Sequence, residues 1–182
     1  MPLPPAMPRK RIHTRKIEIH GFEREDGLWE IDAHLKDTKN YDFPNQFRGT
    51  IKAGEPVHDM SLRITVNDTF VIQGIQAISE GTPFAICPEA TAAYEQLKGL
   101  RITSGWGKQL KERIRGIKGC THLSALLNET ATVAFQTIFP IRHRGKPSEP
   151  AAAKPELLNS CYALASDRDV VKSHWPDFYT GS

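Results

Sequence analysis

Five side chains of the kind that ligate metals or attack electrophiles sit where one sequence pattern gives way to the next: His58 and Asp59 in EPVHDMSL, Cys87 in FAICPEA, and Cys120 and His122 in GCTHL. Such boundaries let side chains leave the core and converge. A thiol at the start of a helix also meets the positive end of the backbone dipole and free amide donors. Both favour the thiolate, the form that binds metal or acts as a nucleophile. The same residues admit a second chemistry, with Cys120 as nucleophile and His122 or His58 as base. Each also has a purely structural use. A free cysteine fills core space, His122 can bond a neighbouring carbonyl, and Asp59 can cap a backbone amide at a strand entry.

What the chain lacks disfavours other chemistries. It has no G-x-x-x-x-G-K-[ST] phosphate loop, no C-x-x-C pair, no H-E-x-x-H helix and no G-x-S-x-G elbow, and SGWG at 104–107 has no strand before it to make a nucleotide fingerprint. A formal net charge of +3 is too mild for a dedicated nucleic-acid binder. The basic cluster Arg9, Lys10, Arg11, Arg15 and Lys16 reads as a solvated tail and edge strand. Three widely spaced cysteines form no disulfide framework. No apolar stretch is long enough to cross a bilayer, and MPLPPAMPRKRIHTRK lacks the apolar core of a signal peptide, so the expected compartment is the cytoplasm. Cys161 reads as core or interface filler, Trp106 and Trp175 as docking aromatics.

The elements that must position these groups follow from periodicity. With 182 residues, 39% hydrophobic and 25% charged, the chain has the make-up of one soluble domain with a real core. RKIEIHGFERE and LWEIDAHLKD alternate apolar and polar residues around an EDG turn, with Trp29, Ile31, Ala33 and Leu35 on one face; this predicts a hairpin. A second hairpin is predicted from Met60, Leu62, Ile64 and Val66, a turn at Asn67-Asp68 and the β-branched run beyond it. After Cys87 the period lengthens. PEATAAYEQLKG, opened by Pro88 and stopped by Gly99, reads as a helix. So does WGKQLKERIRG, and a long third helix starts at Cys120, lines a stripe with Leu123, Leu126, Leu127, Thr130, Ala134, Phe135 and Ile138, and ends at Pro140. A short helix is expected around Pro155–Ala165. The result is an α+β fold, an antiparallel sheet of two hairpins with three or four helices on one face. Residues 1–10 are expected to be a disordered lead, 11–140 a single domain, 141–154 a linker, and 155–182 a helix and tail packing on the domain.

GFEREDGLWEIDAHLKDTKNYDF, GEPVHDMSLRITVND, PFAICPEA, LKGLRITSGW, GCTHLSALL and AFQT together resemble the bacterial family known as domain of unknown function 2889. The likeness runs from about residue 12 to 139, and the tail CYALASDRDVVKSHWPDFYTG shares it. That family's name assigns no activity. A second resemblance supplies chemistry: the order of a strand opening at HDMSLRITV, a cysteine at GTPFAIC and a cysteine with a nearby histidine opening a long helix at GCTHL is similar to the IscU/NifU-type iron-sulfur scaffolds. It implies an arrangement like theirs and makes Asp59, Cys87 and Cys120 the ligand equivalents. His58 stands where those scaffolds have a first cysteine, and His122 follows Cys120 by two residues where they place the histidine directly before the cysteine.

These readings give the expected function. The protein would bind or carry a metal ion, zinc or an iron-sulfur unit, through some of His58, Asp59, Cys87, Cys120 and His122, as an accessory or maturation factor for a client metalloenzyme. The alternatives are a cysteine-dependent enzyme and a protein-binding module that docks on a partner or on another copy of itself.

Overall fold

A computed structural model describes residues 3–144 and 154–181, which form two compact units, Met1–Arg142 and His143–Ser182. Most of the expected linker, 145–153, lies outside the described residues.

The first unit opens with the two long hairpins. Strand β1 (His13–Glu23) turns through Gly27, whose φ of 80° needs glycine, into β2 (Trp29–Lys39). After a small insertion come β5 (Pro56–Val66) and β6 (Ile72–Gly81), joined at Asn67, whose side-chain oxygen accepts from the Thr69 and Val71 amides. All pairings are antiparallel, in the order β1-β2-β5-β6. The insertion is a two-stranded ribbon, β3 (Phe43–Asn45) with β4 (Gly49–Ile51), which the sequence reading does not foresee. Its turn is held by the Asn45 side-chain oxygen Oδ1, which accepts from the amides of Phe47 and Arg48, while the Asn45 side-chain nitrogen donates to the Pro83 carbonyl.

Period-two alternation puts Trp29, Ile31, Ala33 and Leu35 of β2 beside Met60, Leu62, Ile64 and Val66 of β5, and the helical segments close over this face. Tyr94, Leu97, Leu110, Ile114, Leu123, Leu126, Leu127, Ala134 and Ile138 complete the core. Each large side chain there contributes about 1.5–3 kcal/mol by leaving water. Trp106 belongs to this core at 7% exposure, so it is not a docking aromatic. The fold is α+β, with an antiparallel sheet and its helices on one face.

Four local expectations change. Residues Cys87–Leu97 wind as a 3-10 helix; the Glu89 amide bonds back to Ile86 and the Lys98 amide to Glu95, and the alanines at 90, 92 and 93 tolerate the eclipsed i and i+3 side chains this winding brings. Helix α1 (Trp106–Ile114) forms as expected, but α2 (Thr121–His143) runs through Pro140. The proline forfeits one bond, to the carbonyl of Gln136, and the last turn continues beyond it. In the second unit, residues 155–165 form turns and a single 3-10 turn at Tyr162–Leu164, because the Asn159 amide donates to the Leu164 carbonyl and the Ser166 amide to the Asn159 side-chain oxygen, folding the chain back on itself; the α-helix there is α3 (Asp169–His174). Cys161, expected as filler, is exposed.

Candidate metal centre

The buried face of β2 does not end at Leu35. The next residue in register is Asp37, only 1% exposed, and it carries the apolar row into a cluster of charge. Directly across the ladders stand Arg15 on β1 and His58 on β5, so one rung of the sheet reads Arg15, Asp37, His58. Register slips flank this rung. Between Asp37 and Thr38 the β5 strand skips Val57, and between Asp59 and Met60 the β6 strand skips Glu80. Bulges of this type bend a strand and re-aim its side chains.

Arg15 donates to both carboxylate oxygens of Asp37, at 2.8 and 2.7 Å, and His13 Nε2 lies 3.2 Å from Oδ1. Arg15 is thus a structural partner of a buried carboxylate and not part of a solvated basic tail. Burial pushes the Asp37 carboxyl up, but the bonds and charge of Arg15, with His58 and His13, outweigh it and hold it below the ordinary carboxylate range. An ionised carboxylate only accepts, so His58 Nδ1, at 3.1 Å from Oδ2, carries the proton and leaves Nε2 as a free lone pair.

From the other side, α2 brings His122 over this rung. The His58 and His122 rings lie 3.7 Å apart between centroids. His122 Nε2 is turned toward Asp37 Oδ2 at 3.9 Å, and its Nδ1 is 3.8 Å from the Cys120 sulfur. Burial holds both imidazoles below the ordinary histidine range; Asp37 pulls each upward without offsetting it, and for His122 the charges of His58 and Arg15 add to the depression. Neutral imidazoles are the form that ligates metal.

Cys120 directly precedes α2, and its carbonyl accepts the first helical bond from Ser124. That carbonyl also accepts from the Tyr94 hydroxyl at 2.8 Å, with Ser124 Oγ 3.1 Å from the same hydroxyl. Burial pushes the Tyr94 phenol up to about 12, so it stays protonated and able to donate. Tyr94 therefore ties the 3-10 segment headed by Cys87 to the start of α2. Gly119 allows the close turn before Cys120, since a Cβ there would come within 2.5 Å of the Ile114 carbonyl. Cys87, Cys120, His58 and His122, with Met60, Pro83 and Phe84, line one cavity of about 270 Å³.

Four of the five residues singled out in the sequence are thus brought together. Asp59 is not with them. It lies on the opposite face of the sheet, paired with His34 and with Lys36 at 3.2 Å, so the trio of Asp59, Cys87 and Cys120 that the scaffold resemblance carries over does not converge. The carboxylate at the centre is Asp37 instead. A signal for it was present, as the one polar residue in the buried register of Trp29, Ile31, Ala33 and Leu35.

One pair, the Cys120 sulfur and His122 Nδ1, has the spacing of two ligands on one metal ion. In a tetrahedral zinc site, bonds of about 2.3 Å to sulfur and 2.0–2.1 Å to nitrogen put these two ligands about 3.5 Å apart, close to the 3.8 Å between Cys120 and His122. Ligand atoms of Asp37, His58 and His122 also lie within 4.8 Å of one another. Both oxygens of Asp37 are taken by Arg15, whose fixed charge disfavours a cation there. Asp37 is better placed to orient the two histidines, as carboxylates behind metal-bound imidazoles do.

The family model described as Protein of unknown function (DUF2889) matches residues 13–136, and the chain belongs to that family. No curated protein and no solved structure matches it.

Proposed function

We propose that this member of the DUF2889 family binds a single transition-metal ion, zinc or iron, in the cavity between β5 and the start of α2. Cys120, His122 and His58 are the ligands, Cys87 faces them from the 3-10 segment, and Asp37 with Arg15 fixes the rings. The observation that carries this reading is that two neighbouring histidines each turn one nitrogen toward the same buried carboxylate while a sulfur lies at ligand spacing from one of them. The rest of the machinery holds and orients, which suits an accessory factor that carries the ion for another enzyme.

The test is the metal content of protein purified without oxygen, together with the spectrum after cobalt(II) loading. Near-stoichiometric metal and a sulfur-to-cobalt charge-transfer band are expected, both lost in Cys120→Ser/His122→Gln. Neither metal nor band, even after reconstitution, would sink the proposal.

A second reading takes the same contact as Cys120 poised beside His122, with Asp37 behind the ring, an arrangement that activates a thiol nucleophile. It predicts that metal-free protein alkylates at Cys120 much faster than at the exposed Cys161, and that His122→Gln removes the difference.

A further inference from the structure

Strand β1 is an edge, and among the described residues nothing pairs with its outer side. The Asn40 amide donates to Ile12 and the Arg24 amide to Leu28. In an antiparallel ladder this fixes which groups point where: the even-numbered residues of β1 bond to β2, and His13, Arg15, Ile17, Ile19, Gly21 and Glu23 turn their amides and carbonyls outward. Natural edges are blunted by bulges, prolines or charged side chains, and β1 carries only the last of these, in Arg15, Lys16, Glu18 and Glu23. β1 has no proline over eleven residues and pairs with β2 without a register slip. It also exposes Ile17 and Phe22, at 41% and 48%, and Ile12 just before it at 48%.

Charge is segregated along the strand. Arg11, Arg15 and Lys16 precede Ile17, and Glu18 and Glu23 follow it. We infer that β1 pairs antiparallel with β1 of a second copy of this chain about a two-fold axis at Ile17, joining two four-stranded sheets into one of eight. In that register outward-facing residues meet outward-facing residues, Lys16 lies opposite Glu18, Arg11 opposite Glu23, Ile12 opposite Phe22, and Ile17 opposite itself. Sliding by the smallest step the hydrogen bonds allow sets Lys16 against Lys16 in one direction and Glu18 against Glu18 in the other. Like charges directly opposite are destabilising, so the charge pattern selects the centred register. The pairing uses none of the proposed metal ligands and stands whether or not a metal binds.

Sedimentation equilibrium of the full chain tests it. The wild type is a dimer. Lys16→Glu and Glu18→Lys each place two like-charge pairs across the axis and raise the dissociation constant about tenfold or more, and the double swap, which restores both pairs, returns it toward the wild-type value. Ile17→Pro removes an outward amide and leaves the β1-β2 ladder intact, as edge prolines do, so it gives a monomer whose far-ultraviolet circular dichroism is unchanged. A wild type that stays monomeric at its highest soluble concentration overturns the inference. So does a dimer that survives Ile17→Pro, or single reversals that the double swap fails to rescue. If Ile17→Pro does not fold, the charge-swap series decides alone.

Discussion

His58 and Asp59 are neighbours on one strand, yet each belongs to a carboxylate–histidine pair on a different face of the sheet. On the helix-covered face His58 meets Asp37, buried and gripped by Arg15. On the open face Asp59 meets His34 and Lys36, at the side of a shallow concavity of about 450 Å³ lined by Glu18, His20, Asp32, His34 and Arg63. The residue types match; the surroundings do not. Burial strips water from His58 and lowers its proton affinity, whereas the open-face bridges stay in reach of solvent, where such pairs contribute little. What sets the covered face apart is the burial of the pair together with the sulfurs of Cys87 and Cys120, which a second layer of structure brings to the same cavity.

The sharpest way to break this comparison is to remove each carboxylate. Asp37→Ala leaves Arg15 and two rings without their acceptor and should cost about 2–3 kcal/mol in urea unfolding, below the full penalty of a buried pair because Arg15 can swing toward water. Asp59→Ala should cost less than about 1 kcal/mol. Equal losses would mean that the faces do not differ as described.

Acid separates the faces next. The folded-state proton affinities of His58 and His122 are depressed, so the unfolded chain binds more protons as pH falls through the ordinary histidine value of 6.5. Their neutral state supports folding above that value, and the support is lost as pH falls from about 6.5 toward their lowered folded values. Unfolding of metal-free protein between pH 7 and 5 should therefore show stability falling with acid, and His58→Gln/His122→Gln should flatten that slope. Below this range Asp37, whose affinity is also depressed, adds a further loss as pH falls below 3.8.

A smaller effect isolates the second layer. Tyr94→Phe removes only the hydroxyl that holds the Cys120 carbonyl and should cost about 1 kcal/mol, while weakening cobalt binding about tenfold, as loss of an orienting group behind a ligand does. Smallest of all is Arg63→Ala, which breaks the open-face bridge to Asp32 and should change stability by about 0.5 kcal/mol without touching metal content.

The two long hairpins were legible because period-two alternation and turn residues agree over many positions. So was the placement of Cys87, Cys120 and His122 at the starts of helical segments; that they meet His58 on one cavity was not. Parity held more than was read from it. Counting in twos from Leu35 reaches Asp37, and counting back in twos from Met60 reaches His58 and passes over Asp59, which separates the buried pair from the exposed one. The β3-β4 ribbon has three residues per strand, too few for any period to show. The helix through Pro140 and the 3-10 winding of 87–97 depend on tertiary contacts, since apolar spacing does not distinguish 3.0 from 3.6 residues per turn over so short a span.

That 3-10 winding also works as a measure of length. A 3-10 helix rises about 2.0 Å per residue against 1.5 Å for an α-helix, so eleven residues reach about 5 Å further. With Leu97 fully buried at one end, the extra reach carries Cys87 out to the cavity wall. The segment acts as an extended strut, and its winding sets how far that thiol stands from the other donors.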